Sequence, residues 1–422
     1  MPASQRPLSA PSSTWSETIL RRYVAVRART MALTDGLSAE DQQVQSMPDA
    51  SPAKWHLAHT SWFFETFILQ PHAPDHRPFD PDYGYLFNSY YESVGERHAR
   101  PERGLLTRPS LDEVHAYRRH VDEAVAALIA AAGQAPAWRD LLELGLHHEE
   151  QHQELILMDI KHAFSRNPLQ PPFAPSAPSP RRTPIAANWR ELPGGLVEIG
   201  HAGPGFAFDN EGPRHKVWLE PFRIADQLVT CGDWMAFMDD GGYARPLLWL
   251  SEGWAAVQRE AWAAPAYWTR GDDGWTVFTL TGPKAIDPAE PVAHVSFFEA
   301  DAFARWAGRR LPTEAEWEIA AALAPPEDQG ELLHPVAPRP GSLAQMRGQV
   351  WQWTGSAYQP YPRYRAAKDA TGEYNGKFMS GQMVLRGGAC VTPPGHSRIT
   401  YRNFFPPAAR WAFSGVRLAD DV

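Results

Sequence analysis

Apolar residues recur at helical spacing in four segments of the first 165 residues, each with its apolar positions three and four apart along one face. These segments span residues 15–31, 52–69, 110–132 and 138–164. Ser51 is expected to cap the second helix, with Pro52 in its first turn. Ser110 and Glu113 predict a capping box on the third helix, and Gly133 follows that helix. Four helices in this order predict an up-and-down bundle.

The pattern changes after residue 166. Residues 167–187 are rich in proline and predict a linker. Beyond it, short apolar strands such as 196–199 and 216–219 alternate with Gly/Pro turns, and helical spacing is clear only at 296–307 and 313–322. We therefore predict an α+β chain, with a helical bundle at 1–166, the linker at 167–187 and a mixed, loop-dominated domain at 188–422.

Residues 71–109 lie between the second and third helices and show no sustained period. They predict a long loop. A loop of this length inside a compact domain is usually functional or disordered.

Composition narrows the class of protein. A length of 422 residues suggests two domains, and 43% hydrophobic with 21% charged residues is ordinary for a soluble protein. The net charge of −9, with no long basic run, argues against a nucleic-acid partner. No apolar stretch is long enough for a membrane span, and residues 1–14 lack the apolar core of a signal peptide. The two cysteines, Cys231 and Cys390, exclude a CxxC metal site and fit a reducing cytoplasm.

The segment from His147 to Glu154 carries the strongest chemical signal. His148 and His152 are four residues apart on a predicted helix, so their imidazoles share a face and could bind one divalent metal. The plain alternative is a solvated helix face rich in Glu and Gln. His148-Glu149-Glu150-Gln151-His152 also matches H-E-x-x-H, in which Glu149 would be the general base of a zinc hydrolase.

His59 is the candidate third ligand. It lies on the apolar stripe of the second helix, where a single histidine is more often a satisfied core residue. Opposite a His-x3-His pair in a bundle core, however, inward side chains of facing helices commonly assemble a metal site. Three histidine ligands leave coordination positions open on the metal ion. Iron(II) could use them to bind O2 and substrate together, although catalytic zinc is also held by three histidines.

Several segments together resemble a known family. WHLAHTSWFFE, LFNSYYESVGERHARPERGLLTRP and HHEEQHQELILMDIKH resemble the DinB-like helical domain of ergothioneine sulfoxide synthases. LPTEAEWE, GQVWQWTGSAYQPYP, LRGGAC and YRNFFPPAARWAFSGVRLA resemble their formylglycine-generating-enzyme-like, C-type-lectin-like domain. The resemblance covers nearly the whole chain in the expected order. True formylglycine-generating enzymes use a pair of cysteines, whereas Cys231 and Cys390 are isolated here, so that activity is not expected.

The resemblance implies an enzyme that holds non-haem iron(II) with His59, His148 and His152. Such enzymes use O2 to join a thiol to C2 of the imidazole of hercynine (Nα-trimethylhistidine), giving a sulfoxide. Zinc could not supply this redox step. The implied partners are hercynine, O2 and a small thiol such as cysteine.

The resemblance also implies contacts to the substrates. Gln151 is expected to hydrogen-bond the imidazole of hercynine, and Asn403 to contact its other end. Phe404 and Phe405, or Trp411 or Trp353, could offer aromatic faces to the trimethylammonium group. Phe405 stands where the γ-glutamylcysteine-using branch has an Asp, which favours a smaller thiol.

Four residues of the long loop complete the prediction. Tyr90 and Tyr91 resemble the tyrosine pair of the cysteine-using branch, of which one phenol would donate a proton during oxygen chemistry. The plain alternative is an aromatic pair that pins the loop. Arg100 and Arg103 could clamp the carboxylate of a small acid, or could simply be solvated.

Two other functions stay open at this point. A selenoneine synthase would attach a selenosugar selenol to hercynine with the same metal site. A zinc hydrolase working through His148, Glu149 and His152 belongs to a different class. A non-catalytic binding module is weaker than either.

Overall fold

The structure is a computed structural model of the chain. It describes residues 15–132, 136–176, 186–325, 332–338 and 343–422. The expectations for the first 14 residues and for Gly133 lie outside these ranges.

The N-terminal region is helical, as predicted. Its helices are α1 (Trp15–Ala32), α2 (Ala39–Gln43), α3 (Ala53–Phe64), α4 (Gln70–His72), α5 (Tyr83–Phe87), α6 (Leu111–Ala131) and α7 (Arg139–Arg166). A π-helical turn, Glu65–Leu69, continues α3, and a 3-10 helix spans Arg100–Leu105. The four long helices confirm the four periodic segments, whereas α2 and the short helices within residues 71–109 were not predicted.

Helix α3 lies at the centre of this bundle. All twelve of its residues are buried, and it packs against α6 and α7, which in turn contact α1. Polar residues of α3 such as Lys54 find hydrogen-bond partners inside the bundle, which allows this central position. Gly145 lets α7 approach closely, because a Cβ at this position would lie 2.6 Å from Cε1 of Phe64.

The two predicted helix caps have different outcomes. Ser110 accepts from the backbone N–H of Glu113, whose side chain accepts from the Ser110 N–H, so the capping box on α6 is confirmed. The prediction for Ser51 is wrong, since α3 begins at Ala53 with Pro52 as its N-cap residue and no side-chain cap. The Ser51 backbone N–H instead donates to Asp159 Oδ2 on α7, at 2.8 Å.

The C-terminal region mixes short strands with helices. Its helices are α8 (Cys231–Asp239), α9 (Ser251–Glu260), α10 (Phe297–Trp306) and α11 (Glu314–Leu323). Its strands are β1 (Trp189–Leu192), β2 (Gly195–Ile199), β3 (His215–Leu219), β4 (Phe222–Ala225), β5 (Trp268–Gly271), β6 (Gly274–Thr279), β7 (Gly282–Ala285), β8 (Trp351–Ala357), β9 (Met383–Arg386), β10 (Asn403–Phe405), β11 (Ser414–Gly415) and β12 (Ala419–Asp421).

These strands form four small sheets, in the orders β1-β4-β12, β10-β9-β8-β11, β2-β3 and β5-β6-β7. The sheet that contains β10 matters for function, because it sets Asn403, Phe404 and Phe405 opposite β9. The α+β prediction is confirmed. Helices α8 and α9 were not predicted; each is short and carries a glycine within its first turn, Gly232 and Gly253, which weakens the helical signal.

The connection between the two regions is described in part. The backbone N–H groups of Phe173 and Ala174 donate to the carbonyl oxygen of Leu280, so this stretch packs on the C-terminal region. Residues 177–185 lie outside the described ranges, and the division at 1–166, 167–187 and 188–422 stays a prediction. Within the described part of the chain, no helix is both long and apolar enough to cross a membrane.

Candidate metal centre and substrate cavity

Three histidines meet in the core of the bundle. His59 on α3 and His148 and His152 on α7 are buried, and their nearest ring nitrogens lie within 4.8 Å of one another. The Nε2 atom of His148 lies 3.2 Å from that of His59 and 3.1 Å from that of His152. Two nitrogens bound at a right angle to one ion, each at about 2.1 Å, would lie roughly 3 Å apart. The observed spacing therefore suits a shared metal ion.

The protonation of His59 follows from its neighbour. Its Nδ1 lies 2.6 Å from the carbonyl oxygen of Phe87, which can only accept. Nδ1 therefore carries the proton, and Nε2 presents a lone pair to the centre. Burial lowers the pKa of His148 to about 3 and holds the pKa values of His59 and His152 well below the usual value. Neutral imidazoles that converge in this way fit a divalent transition-metal ion.

A second pair of residues fixes the tautomer of His152. Its Nδ1 lies 2.8 Å from Nδ1 of His56, whose Nε2 lies 3.1 Å from Oδ2 of Asp159. The carboxylate accepts, so His56 carries its proton on Nε2 and accepts at Nδ1. His152 must then donate from Nδ1, which leaves its Nε2 free for a metal. Such outer partners orient metal-binding histidines and strengthen their binding.

Glu149 is not placed to act as a general base. It is buried, and its two carboxylate oxygens accept from Arg27 and Arg118, each at 2.9 Å. Burial opposes ionisation, but the two guanidinium charges lower the pKa of Glu149 to about 2. A carboxylate held by two cations is a poor proton acceptor near neutral pH. The H-E-x-x-H match therefore lacks the base that a zinc hydrolase needs.

A cavity of about 470 Å³ opens beside the three histidines, and both regions of the chain line it. From the helical region it is lined by His148, Gln151 and His152 of α7 and by loop residues between α3 and α6. From the C-terminal region it is lined mainly by aromatic rings: Phe208, Tyr374, Phe378, Tyr401, Phe404 and Trp411. The metal centre and the cavity thus form one continuous site.

Gln151 lies between the two α7 histidines and faces the cavity. Its amide nitrogen donates to the Tyr401 hydroxyl at 2.5 Å, and its amide oxygen accepts from the Tyr374 hydroxyl. Both tyrosines belong to the C-terminal region, so contacts across the domain boundary fix the orientation of this amide.

The two loop tyrosines have different surroundings. Tyr90 lines the cavity and stacks on Tyr91, with ring centroids 4.6 Å apart. Tyr91 is fully buried against Trp62 and Phe67. Burial raises the pKa of both phenols. Only Tyr90 of this pair lines the cavity.

The two predicted arginines also lie at the cavity. Arg103 is buried over the ring of Trp55, with its Cζ 3.4 Å from the ring centroid, and it donates to Ser51 Oγ at 2.9 Å. Burial and the nearby Arg100 hold the pKa of Arg103 well below its usual value. Arg100 is exposed at the rim and donates to the backbone carbonyl of Asp49.

The residues of β10 form the opposite wall. Asn403, Phe404 and Phe405 all line the cavity, and Phe404 stacks on Tyr358 with ring centroids 4.0 Å apart. Trp353, the alternative aromatic contact, does not reach the cavity. It is fully buried, and its indole N–H donates to the carbonyl oxygen of Val295, because this face of β8 packs on α10.

Sequence reasoning missed three residues of this site. His56 could have been found, since it precedes His59 by three positions and therefore shares its helix face. Tyr374 and Tyr401 gave no such signal, because each lies in an irregular segment and meets α7 only in the folded chain.

Comparison with known proteins assigns both halves of the chain. Residues 22–156 match the DinB superfamily, and residues 176–331 and 327–422 match the sulfatase-modifying factor enzyme 1-like domain. The hercynine oxygenase of Mycolicibacterium smegmatis is 33% identical over 96% of this chain and 99% of its own length. That of Mycobacterium tuberculosis is 33% identical over 94% of this chain and 97% of its own. The chain belongs to the hercynine oxygenase family.

Other relatives match a smaller share of this family member. The formylglycine-generating enzyme of Streptomyces coelicolor is 29% identical over 60% of this chain and 95% of its own. Cys231 and Cys390 are both buried free thiols. The solved structure of PvdO from Pseudomonas aeruginosa aligns over 57% of this chain at 19% identity, but its TM-score of 0.36 is too low for any conclusion.

Proposed function

We propose that this family member is an iron(II)- and O2-dependent synthase that joins a small thiol to imidazole C2 of hercynine, in ergothioneine biosynthesis. The observation that carries the proposal is the convergence of three neutral imidazoles, His59, His148 and His152, beside a cavity walled by aromatic rings. Membership of the hercynine oxygenase family supports hercynine as the acceptor.

The overall reaction balances without a further reductant. The imidazole C2–H and thiol S–H bonds break, a C–S bond forms, and one atom of O2 is transferred to sulfur. The second oxygen atom leaves as water with the two hydrogens. When bound, iron(II) would supply the redox chemistry with O2 that zinc cannot.

The residues of the cavity bind and orient the two substrates. Gln151, held by two tyrosines, hydrogen-bonds the imidazole of hercynine. Asn403 contacts the other end of hercynine, and Phe404 and Phe405 contribute ring faces to its trimethylammonium group. The buried Trp55–Arg103 stack, with Arg100 at the rim, binds the donor carboxylate.

Tyr90 is the proton donor of the loop pair, and Tyr91 supports it from the core. Tyr374 is a second phenol in the same wall, with its ring centroid 6.4 Å from that of Tyr90. Raised pKa values keep all three phenols protonated at neutral pH, as a hydrogen donor requires.

Cysteine is the proposed donor, and a selenosugar selenol is the alternative with the same metal and acceptor sites. Phe405 offers no carboxylate to a longer peptide donor, which favours a small one. The zinc-hydrolase alternative is not supported, because Glu149 is clamped by Arg27 and Arg118.

The test measures metal and product together. Protein purified without oxygen is analysed for iron and zinc, then loaded with Fe(II) and given hercynine, O2 and either cysteine or a selenosugar. We expect a sulfoxide of the mass of hercynine joined to cysteine, with matching O2 consumption. Turnover with the selenosugar alone would reassign the enzyme as a selenoneine synthase. No product with either donor, or full iron occupancy in His59→Ala, would overturn the proposal.

A further inference from the structure

A second cluster of metal-ligand residues lies outside the cavity. Glu65, His76 and His120 offer a carboxylate and two imidazoles whose ligand atoms lie within 4.8 Å of one another. The three residues come from the π-helical turn after α3, from the loop that follows α4 and from α6. Two imidazoles with one carboxylate are a donor set that zinc and similar divalent ions bind in proteins.

The carboxylate of Glu65 is unusual in its burial. It is 3% exposed, and among the described residues the basic side chain paired with it is His76. Its Oε1 lies 3.1 Å from Nε2 of His76, and its Oε2 accepts from the Tyr117 hydroxyl at 2.7 Å. The spacing of 3.1 Å equals that between His148 and His152 in the first cluster. A buried carboxylate is stabilised when a cation balances its charge.

Residues of this cluster also form hydrogen bonds to backbone groups, and such bonds commonly orient the ligands of metal sites. Nε2 of His120 lies 3.1 Å from the carbonyl oxygen of Arg77, which can only accept, so the proton is on Nε2 and Nδ1 holds a lone pair. The backbone N–H of Phe79 donates to Glu65 Oε1 at 3.1 Å. Partners of this kind hold a ligand in one orientation before metal arrives.

We propose that Glu65, His76 and His120 bind a second divalent ion of the zinc type, and that this ion has a structural role. It would tie the loop after α4 and helix α6 to the end of the helix that carries His59, six residues before Glu65.

A cluster of aromatic rings links the two sites. Phe79 packs on Tyr83 and Tyr117, and Phe87 packs on the same two tyrosines. The carbonyl oxygen of Phe87 is the group that orients His59. A metal held by Glu65, next to Tyr117, would therefore stabilise the backbone that positions a ligand of the first site.

The experiment counts bound zinc in single variants. Metal-free protein is incubated with excess Zn²⁺, desalted and analysed for metal per chain. We expect His120→Ala to bind one zinc ion fewer than the wild type, because loss of one ligand of three removes binding. Glu65→Gln should also lose one ion, which guards against an effect of His120→Ala on folding alone.

His98→Ala is the matched control. His98 is half-buried, and its Nε2 bonds a backbone carbonyl oxygen, that of Glu102, in the same way. It belongs to none of the clustered metal-ligand groups, so the variant should bind as much zinc as the wild type. Zinc content in His120→Ala and Glu65→Gln equal to the wild type would overturn the second site.

The His59→Ala background separates the two sites. This variant should bind one zinc ion fewer than the wild type, and Zn²⁺ should still raise its melting temperature. His59→Ala/His120→Ala should lose a further zinc ion and show a smaller shift. If the wild type binds one ion and His59→Ala abolishes it, the second site is wrong and the first stands. If His120→Ala abolishes a single ion instead, the first site is wrong.

Discussion

At the scale of single residues, the chain of contacts behind His152 decides how well a metal can bind. Asp159 fixes the proton of His56, and His56 then fixes that of His152. His56→Phe keeps an aromatic ring but removes this relay. We expect the affinity for Fe(II) to fall about 10- to 100-fold, as for other outer partners of metal-binding histidines.

Competition with a chelator of known affinity measures that change. His162→Ala is the control; His162 lies on α7 with His152, but it contacts Ser46 and not the three-histidine cluster. An unchanged affinity in His56→Phe would mean that packing alone orients His152.

The loop tyrosines allow a matched pair of variants. Tyr90 lines the cavity, whereas Tyr91 is fully buried beside it and does not line the cavity. We expect Tyr90→Phe to lower the ratio of sulfoxide to simple thiol oxidation by about 100-fold, since general acids contribute about that much. Tyr91→Phe should leave the ratio close to that of the wild type. Mass spectrometry distinguishes the sulfoxide from the product of thiol oxidation. Equal ratios in both variants and the wild type would show that neither tyrosine takes part in the reaction.

Sequence reasoning reached those site residues that a local pattern marks. The spacing of His148 and His152 and the position of His59 on an apolar stripe were enough to propose a centre. The partners of Gln151 could not be found this way, because Tyr374 and Tyr401 are more than 200 positions away from it and approach only after folding.

At the scale of elements, Gly145 sets the distance between α3 and α7. Gly→Ala within a helix normally stabilises a protein by about 0.5–1 kcal/mol. Here the added Cβ would lie 2.6 Å from Phe64 Cε1 and 3.1 Å from Phe63 Cε1, inside a packed core. We expect Gly145→Ala to lower the free energy of unfolding by about 1–3 kcal/mol, as overpacking does.

Urea denaturation checks this expectation. Gly84→Ala in α5 is the control, because nothing lies within 4 Å of the added Cβ and the residue is exposed. It should be neutral or slightly stabilising. A stabilised Gly145→Ala would show that the two helices have room to separate.

Helix boundaries followed from sequence where capping chemistry is local, as at Ser110 and Glu113. They failed where tertiary contacts compete. Ser51 looks like a cap, but its backbone and hydroxyl are taken by Asp159 and Arg103. The π-helical turn at Glu65 also has no sequence signature.

At the scale of the whole molecule, a buried lysine joins the two regions. Lys161 of α7 is fully buried, its Nζ lies 2.5 Å from Nε2 of His294, and the rings of Tyr267 and Phe413 flank it. Burial lowers the pKa of Lys161 to about 7, from an ordinary value of 10.5. Above pH 7 the unfolded chain therefore binds a proton that the folded chain does not.

The contribution of Lys161 to the free energy of unfolding should therefore rise with pH between about 7 and 10.5. Below pH 7 this contribution should not change with pH. Lys161→Met removes the titrating group. We expect the free energy of unfolding of the wild type to rise by on the order of 3 kcal/mol more than that of the variant between pH 7 and pH 10. Parallel pH profiles for the two proteins would show that the amine is charged in the folded state.

The two-region architecture was readable from composition and periodicity, because a bundle and a loop-rich domain differ in both. The way the regions join was not, since it depends on single long-range contacts. Glu154 is one example. Its carboxylate accepts from Trp351 Nε1 at 2.6 Å and from the Thr392 hydroxyl, both in the C-terminal region.

The two tyrosine contacts that orient the Gln151 amide have a consequence for how substrate preference could change in this family. The imidazoles that would hold the ion all come from one half of the chain, while the hydroxyls that aim the neighbouring amide come from the other. Because Gln151 is the proposed contact to the acceptor imidazole, we expect substitutions near Tyr374 and Tyr401 to change which acceptor binds while leaving the three histidines in place. Laboratory evolution aimed at new heteroaromatic acceptors would do best to randomise that C-terminal wall and leave α3 and α7 untouched.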